Sequence, residues 1–295
     1  IVPPENTFKL RVLNFFSNRL LWSLLAVSLL PLGFMGYATY SSAAKAIESQ
    51  SQLKLQTVNT ITGKAVTDYF STLEEQLKIT AENKMTLEAL EAFTTGFDQL
   101  KTEDKLNESS VDDARNSLST FYTGEFTTKF IQQTDSEPPT TSFLENLSDT
   151  SVYLQYLYIR QNQSPLGSKD LLNDADDGSS YSAAHAVYHP IFRNFLGRLG
   201  IYDFFLVDAD SGNIVYSVYK EIDFATSLKT GSFSGTNFSR TFQDSITGGR
   251  RDSVTFTDFE NYLPSYQAPA GFIAAPIYSG RELKGSCLLY TSPSP

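Results

Sequence analysis

Two histidines are the first candidates for chemistry in this sequence. His185 and His189 are four residues apart, so on a helix they share one face. Such a pair can bind zinc, but a catalytic H-E-x-x-H motif needs Glu at position 186, where this chain has Ala186. No cysteine or clear third ligand lies nearby in the sequence. We therefore expect the pair to hydrogen-bond across a helix–sheet junction, with Arg193 one turn further along.

Two acidic segments resemble the start of a calcium-binding loop. An EF-hand loop ends in a bidentate Glu at its twelfth position. That position is Tyr219 for the loop that starts at Asp208, and His185 for the loop that starts at Asp174. Both segments are therefore predicted to be turns, in which Asp and Gly supply the required backbone conformations.

Motifs that carry catalysis do not occur in the sequence. It has no G-x-S-x-G, P-loop, G-x-G-x-x-G or kinase signature. We predict no catalytic residue, no metal site and no cofactor. This stretch is expected not to be an enzyme.

Charge and cysteine content limit the possible partners and crosslinks of the protein. The formal net charge is −10, and an acidic surface repels nucleic acid, so we expect no nucleic-acid partner. Cys287 is the single cysteine, so no disulfide can form within the chain. Hydrophobic residues make up 41% of the sequence, which is enough for a packed core.

An uncharged, strongly apolar run follows a basic N-terminal segment. No charged residue occurs between Leu20 and Ala44, and Lys9, Arg11 and Arg19 precede the run. About 20 apolar residues in a helix cross a membrane core, and cytoplasmic flanks are rich in Lys and Arg. We predict a cytoplasmic segment over 1–19 and a transmembrane helix over 20–40. A cleaved signal peptide is the alternative, but its apolar region is usually shorter.

Helical periodicity dominates the next part of the chain. Apolar residues recur three and four residues apart between 43 and 97, which predicts one long stalk helix. Whether its stripe packs on a partner chain or on its own domain stays open. Residues 98–117 are predicted to be a loop or a frayed helix. Further helices are predicted over 118–130, 152–160 and 181–199, the last bent at Pro190.

The periodicity changes near residue 200. β-rich runs cover 202–207, 214–219, 254–259, 271–277 and 283–289, and a short helix is predicted over 234–246. The first two runs are joined by a turn that begins at Asp208. The fold class is therefore predicted to be α+β, with helices on one face of an antiparallel sheet. The predicted divisions are a helical part over 41–199, which includes the stalk, and a sheet module over 200–286.

Three segments of this sequence resemble the Cache-type sensor ectodomains of bacterial receptors. They are YLQYLYIRQNQSPLGSKDLLNDADDGSSYSAAHAVYHPIFRNF, IYDFFLVDADSGNIVYSVYKEIDFATSL and DFENYLPSYQAPAGFIAAPI. The resemblance covers about residues 20–285 and is strongest over 153–280. It implies a PAS-like sheet that faces a small-molecule pocket. Such ectodomains belong to chemotaxis transducers, sensor kinases and membrane-bound nucleotide cyclases of the bacterial inner membrane.

Both ends of the sequence suggest a fragment. The family continues with a second PAS-like module, a second membrane helix and a cytoplasmic output domain, which this sequence does not contain. The chain begins with Ile1, and residues 287–295 are predicted to be a non-native tail. Cys287 is therefore given no function.

A ligand pocket is the remaining candidate site. Small-molecule sites combine apolar walls with a few convergent polar groups. The predicted hairpin and the segment 262–266 bring together six candidate ligand-binding residues, which are Tyr202, Asp203, Tyr216, Lys220, Asp223 and Tyr262. Arg193 is added because it could pair with a ligand carboxylate. The ligand class stays open.

We therefore predict an extracytoplasmic small-molecule sensor that acts in transmembrane signalling. It is expected to be anchored in the inner membrane through 20–40, with its N-terminus inside and its sensor periplasmic. We also expect a homodimer through the stalk helix. Two alternatives remain: a dimerisation module without a ligand, and a membrane-tethered hydrolase.

Overall fold

The chain divides into two compact units, one ending at Phe70 and one beginning at Ser71. The computed structural model describes the backbone of residues 5–18 and all atoms of residues 19–248 and 250–291. Residues 1–4 and the side chains of Lys9 and Arg11 lie outside that description, as do residues 292–295 of the predicted tail.

The first unit is a single helical segment of α1, which spans Glu5–Glu82 and contains Pro31. By length and composition, one helix of the described residues is apolar enough to cross a membrane. Its most apolar window has a mean hydropathy of 1.7 and no buried residue. The large apolar side chains from Leu20 to Tyr40 are exposed, which is how a lipid-facing helix looks without its bilayer.

The predicted single helix over 43–97 is wrong, because the chain is interrupted at Asn83. Helix α1 ends at Glu82 and α2 spans Lys84–Gln99. Asn83 adopts an extended conformation, and its side chain accepts a hydrogen bond from the Met85 amide at 2.9 Å. This is an N-cap, which satisfies one of the free amides of a helix start. The apolar stripe runs on across the break and therefore hides it.

The segment 98–117, predicted to be a loop or a frayed helix, contains the start of α3. Helix α3 spans Glu108–Phe121 and is capped by Asn107, whose side chain accepts from the Ser110 amide. A π-helical segment, Tyr122–Phe126, links α3 to α4, Thr127–Thr134. Helix α5 follows at Thr140–Glu145.

A second π-helical segment replaces the end of another predicted helix. Helix α6 spans Asp149–Gln155, and the π segment Tyr156–Arg160 continues it. The Gln161 amide donates to the Tyr156 carbonyl five residues earlier, which is the π pattern. A 3-10 turn at Lys169–Leu171 precedes α7, Ser180–Leu199, which contains Pro190 as predicted.

The five predicted strands form an antiparallel sheet, and the α+β fold class is confirmed. Strand order is β2-β1-β5-β4-β3. The strands are β1 Asp203–Asp208, β2 Ile214–Ser217, β3 Thr255–Tyr262, β4 Ala268–Ser279 and β5 Glu282–Thr291. Helix α8, Asn237–Thr247, lies between β2 and β3 in sequence, and a 3-10 turn, Leu263–Ser265, joins β3 to β4.

Helices cover both faces of the sheet, which corrects the expectation of one covered face. Successive residues of a strand point to opposite faces. Phe204 stacks on Phe192 of α7, whereas its neighbour Phe205 packs on Phe238 of α8. Tyr216 on β2 stacks on Phe93 of α2, so α2 shares the α7 face. The α8 face carries Asp203 and Tyr290, which are register partners.

Part of the predicted non-native tail is a central strand. Cys287, Leu288, Leu289 and Tyr290 are all buried in β5, which pairs with β1 on one side and β4 on the other. Thr291 ends the strand. That residues 287–295 are not native to the protein stays a prediction. In this chain, the residues up to Thr291 complete the core.

Candidate ligand-binding site

A cavity of about 270 Å³ lies in the second unit, beside the α8 face of the sheet. Its volume is just below the range of roughly 300–1,000 Å³ that is usual for small-molecule pockets. Both π segments contribute to it, as do the segment after β2 and the β3–β4 turn. The lining residues are Phe121, Phe126, Lys129, Gln133, Ile159, Leu166, Gly167, Lys169, Tyr202, Tyr219, Lys220, Glu221, Ile222, Pro264, Ser265, Tyr266 and Ala268.

The segment from Val218 to Thr226, here called the site loop, brings a lysine and two carboxyl groups to this region. Lys220 and Ala225 have φ values of 55° and 64°, in the left-handed region that few non-glycine residues adopt. Such conformations persist only when surrounding contacts hold them. The site loop therefore depends on contacts from other elements.

Helix α6 supplies those contacts through buried side chains. The Gln155 Nε2 amide donates to the Ile222 carbonyl at 3.0 Å and to the Phe224 carbonyl at 2.7 Å. Its Oε1 accepts the Tyr122 hydroxyl at 2.7 Å. Ser151 Oγ donates to the Ala225 carbonyl at 2.6 Å. Gln155 thus uses both of its N–H groups on the site loop and ties it to the first π segment.

Glu221 is the one carboxyl group among the lining residues. The Tyr202 hydroxyl donates to its Oε1 at 2.9 Å, and the Ser265 hydroxyl donates to its Oε2 at 2.6 Å. Burial, with a smaller contribution from the Asp223 carboxylate, raises the pKa of Glu221 above its ordinary value. Both oxygens therefore already have a protein donor.

Asp203 and Asp223 lie behind Glu221 and are buried. Asp203 Oδ1 accepts the amides of Phe204, Val218 and Tyr219, while Oδ2 has no partner among the described residues. Asp223 Oδ2 accepts the Tyr262 hydroxyl at 2.6 Å. Burial, followed by the neighbouring Asp223 charge, raises the pKa of Asp203 to about 8, and burial raises that of Asp223 to about 6. These groups are not themselves lining residues.

Lys220 is fully buried and uses its hydrogens within the protein. Its Nζ lies 3.0 Å from the Ser217 carbonyl, 3.1 Å from the Val218 carbonyl and 3.4 Å from His189 Nδ1. The two carbonyls take two of the three donors of the ammonium, and the third has a long contact with His189 Nδ1, which also accepts the Tyr216 hydroxyl. Desolvation lowers the pKa of Lys220 to about 7, against a smaller opposing effect of Asp203.

His189 hydrogen-bonds across the helix–sheet junction, as the sequence predicts, whereas His185 Nδ1 lies 2.7 Å from the Asn173 carbonyl in the segment before α7. His189 Nε2 lies 2.6 Å from the Asp170 carbonyl and so must carry the proton, which leaves Nδ1 to accept the Tyr216 hydroxyl at 2.8 Å. Desolvation, then Lys220, lowers the pKa of His189 to about 2. His185 stacks on it with ring centroids 4.3 Å apart. Among the described residues no group of three His, Cys, Asp or Glu side chains could hold a metal.

Both acidic segments form turns, as predicted. Asp208 Oδ2 accepts the Ser211 amide at 2.7 Å, and Gly212 takes a positive φ of 71°. Asp174 Oδ1 accepts the Asp176 amide in the same way. The carboxylates thus accept hydrogen bonds from backbone amides of their own segments.

The structure places the seven predicted site residues at different depths. Tyr202 and Lys220 line the cavity. Asp203, Asp223 and Tyr262 lie behind it, and Tyr216 packs on the α7 side. Arg193 is not a lining residue; its Nη1 donates to the Asp170 carbonyl at 2.8 Å. Ligand binding by these residues stays a prediction.

Sequence reasoning missed two of the three lysines that line the cavity. Lys129 on α4 donates to the Leu166 carbonyl at 3.2 Å, and its Nζ lies 4.9 Å from the Tyr266 ring centroid. Lys169 is only 4% exposed and donates to the Asn162 and Ser164 carbonyls. Both come from segments read as helix surface or polar loop. A buried lysine in a loop leaves no periodic signal in the sequence.

Comparison with known proteins gives two weak structural likenesses. No family model matches the chain, and no curated protein matches it. The sensor domain of the V. cholerae histidine kinase DctB is 14% identical at a TM-score of 0.31, over 63% of this chain and 57% of that one. The ligand-binding domain of the Pseudomonas aeruginosa PAO1 amino acid chemoreceptor PctC, in complex with GABA, is 11% identical at 0.26, over 66% and 64%.

The chain thus spans less than two thirds of either solved structure. At these TM-scores the likenesses carry no argument about this chain. The resemblance to Cache-type ectodomains remains an expectation from the sequence.

Proposed function

We propose that this chain is the ligand-sensing ectodomain of a membrane receptor and binds a small molecule in the cavity described above. The observation that carries the proposal is the cavity itself. Several separate elements contribute to its wall, which carries charged side chains, and the loop on the wall adopts strained conformations. A site that only filled the core would be lined by apolar groups.

The membrane context of the proposal rests on sequence and on one helix. A candidate membrane-spanning helix lies near the N-terminus, and the charges that precede it favour a cytoplasmic N-terminus. We propose that the second unit lies on the extracytoplasmic side. Helix α1 contributes Leu73 and Leu77 to the core of that unit, so a ligand-dependent shift there could act on the helix.

We further propose that the stalk part of α1 pairs with a second copy of this chain. Leu55, Val58, Val66 and Tyr69 recur at helical spacing and are 45–70% exposed. Exposed apolar stripes of this kind are typical of helix–helix interfaces. The second copy would cover this stripe on both chains.

The ligand proposal is tested by thermal shift of the full chain in detergent against a library of small metabolites. A ligand that binds the folded state alone raises Tm with its concentration. Each hit is then tested on Ala268→Trp, which places a large side chain in the cavity wall. Ala183→Trp, on the exposed side of α7, is the matched control.

The expected result is a hit whose Tm shift is lost in Ala268→Trp and kept in Ala183→Trp. A library without any stabilising compound would count against ligand sensing. Hits that bind both variants equally would show that this cavity is not the site.

A further inference from the structure

Two lysines of the cavity wall have hydrogen-bonding capacity that the protein leaves unused. An ammonium group carries three donors. Within the described residues, Lys129 Nζ donates once, to the Leu166 carbonyl, and Lys169 Nζ donates twice, to the Asn162 and Ser164 carbonyls. Both side chains line the cavity. Unused N–H groups therefore remain on each of them.

Neither lysine has an acidic partner at ion-pair distance. The ion pairs of the described residues involve other side chains. Desolvation is the largest effect on Lys169 and lowers its pKa. The Glu125 carboxylate raises that pKa by a smaller amount, and Arg160 lowers it further. Holding a desolvated ammonium without a counter-charge is unfavourable, so the free site is poised to accept an anion.

The other charged groups of the cavity wall are already satisfied. Lys220 Nζ donates to the Ser217 and Val218 carbonyls and contacts His189 Nδ1, and both oxygens of Glu221 accept hydroxyl groups. The hydrogen-bonding groups of the cavity wall that remain unused are therefore positively charged donors. This is notable in a chain with a formal net charge of −10.

The chain conformation places the two ammonium groups around one short segment. Lys169 anchors to the carbonyls of Asn162 and Ser164, and Lys129 to that of Leu166. Gly167 has a φ of 88°, which favours glycine, and a Cβ built there would lie 3.8 Å from Lys129 Nζ. Gly167 thus lies beside Lys129, within the turn that carries these carbonyls.

We propose that the ligand of this cavity is a small oxyanion whose carboxylate or phosphate group binds between Lys129 and Lys169. The inference rests on the proposed function and names the ligand class. Two lysine donors suit an oxyanion of either kind, because a point charge on a flexible stem does not demand the planar geometry that arginine does. The limited volume favours a ligand with one acidic group and a short chain.

The test uses four probes with one carbon skeleton, added to the full chain in detergent. Butyrate and butyl phosphate carry the two oxyanions, butanol is neutral and butylamine is cationic. Tm is measured as a function of probe concentration, with sodium chloride as the control at matched ionic strength. Lys129→Met and Lys169→Met remove the charges, and Lys101→Met, at an exposed helix-end position, is the matched control.

The expected result is stabilisation by at least one oxyanion and by neither butanol nor butylamine. Lys129→Met and Lys169→Met should each weaken that binding at least tenfold, and Lys101→Met should leave it unchanged. The stronger of butyrate and butyl phosphate identifies the oxyanion. Because methionine keeps the unbranched apolar stem of lysine and lacks the ammonium group, a variant that folds with the wild-type circular dichroism spectrum reports on the charge.

Equal stabilisation by butanol or butylamine would overturn the anion assignment, as would oxyanion binding that both variants keep. No response to any of the four probes would also overturn it, since unused lysine donors must bind a small oxyanion at high concentration. None of these results decides the proposed function, which the metabolite library tests with ligands of every charge.

Discussion

The hydrogen bonds of Gln155 give the sharpest prediction for the architecture of the site. In Gln155→Met the side chain keeps its length but loses its donors and its acceptor. The Ile222 and Phe224 carbonyls and the Tyr122 hydroxyl each lose a partner in a fully buried environment. At about 1 kcal/mol for each, the lower end for a buried unsatisfied group, the variant is expected to lose about 3 kcal/mol of unfolding free energy.

A second variant, Tyr122→Phe, should change Tm in opposite directions in the wild-type and Gln155→Met backgrounds. Tyr122→Phe alone leaves Gln155 Oε1 without a donor and should cost about 1 kcal/mol. In the Gln155→Met background the same change removes a hydroxyl that has no partner, so it should stabilise by about 1 kcal/mol. For a folded unit of this size, 1 kcal/mol corresponds to roughly 2–4 °C in Tm. Tyr122→Phe should therefore lower Tm in one background and raise it in the other.

Thermal unfolding followed by far-ultraviolet circular dichroism of the full chain in detergent measures all four proteins of this cycle. Tyr156→Phe is the control, because the Tyr156 hydroxyl accepts from the exposed Gln161 side chain; we expect a change within about 0.5 kcal/mol. If Tyr122→Phe lowered Tm equally in both backgrounds, the two side chains would not be coupled and the reasoning would be refuted.

Two further predictions concern the acidic cluster and the stalk. The pKa of Asp203 rises from an ordinary 3.8 to about 8 on folding, so the folded state holds an extra proton between these values and the stabilisation from that proton is lost as pH rises through 8. The Tm of Asp203→Asn minus the Tm of wild type should therefore increase between about pH 5.5 and about pH 8.5. A Tm difference that is the same at both pH values would contradict the raised pKa. In the stalk, Val58→Glu should convert a dimer of the full chain into a monomer in analytical ultracentrifugation, whereas Asn59→Glu, one residue along the exposed helix, should not; a wild-type monomer would refute pairing through the stripe.

The regular elements were the predictable part of the fold. The β-rich runs and the Asp208 turn predicted every strand to within a few residues, because the central strands are buried on both faces and require apolar side chains along their length. The break at Asn83 and the start of α3 at Glu108 were missed. In both places a polar side chain caps a helix while the hydrophobic pattern gives no sign of it.

The site was predictable only where it lies on strands or on the loop between them. Tyr202 and Lys220 follow from the β1–β2 hairpin. Lys129 and Lys169 come from segments that are distant in sequence, and their approach depends on how the helices are bent by the π segments. The role of Gln155 could not be predicted from the local sequence of its helix, because its partners are carbonyl groups about 70 residues away.

The π segment at Tyr122–Phe126 has a consequence for how this site can vary. A π turn accommodates one residue more than an α turn, and each residue advances an α-helix by about 100°. Deleting Gly124, which has open space around its Cα, would let α3 and α4 merge into one regular helix. Because the π turn already absorbs the extra residue, Lys129 and the residues after it would keep their face of the helix. The same deletion within a regular α-helix would rotate the following residues by about 100°. One codon can thus be lost at this turn without directing the lysine away from the cavity.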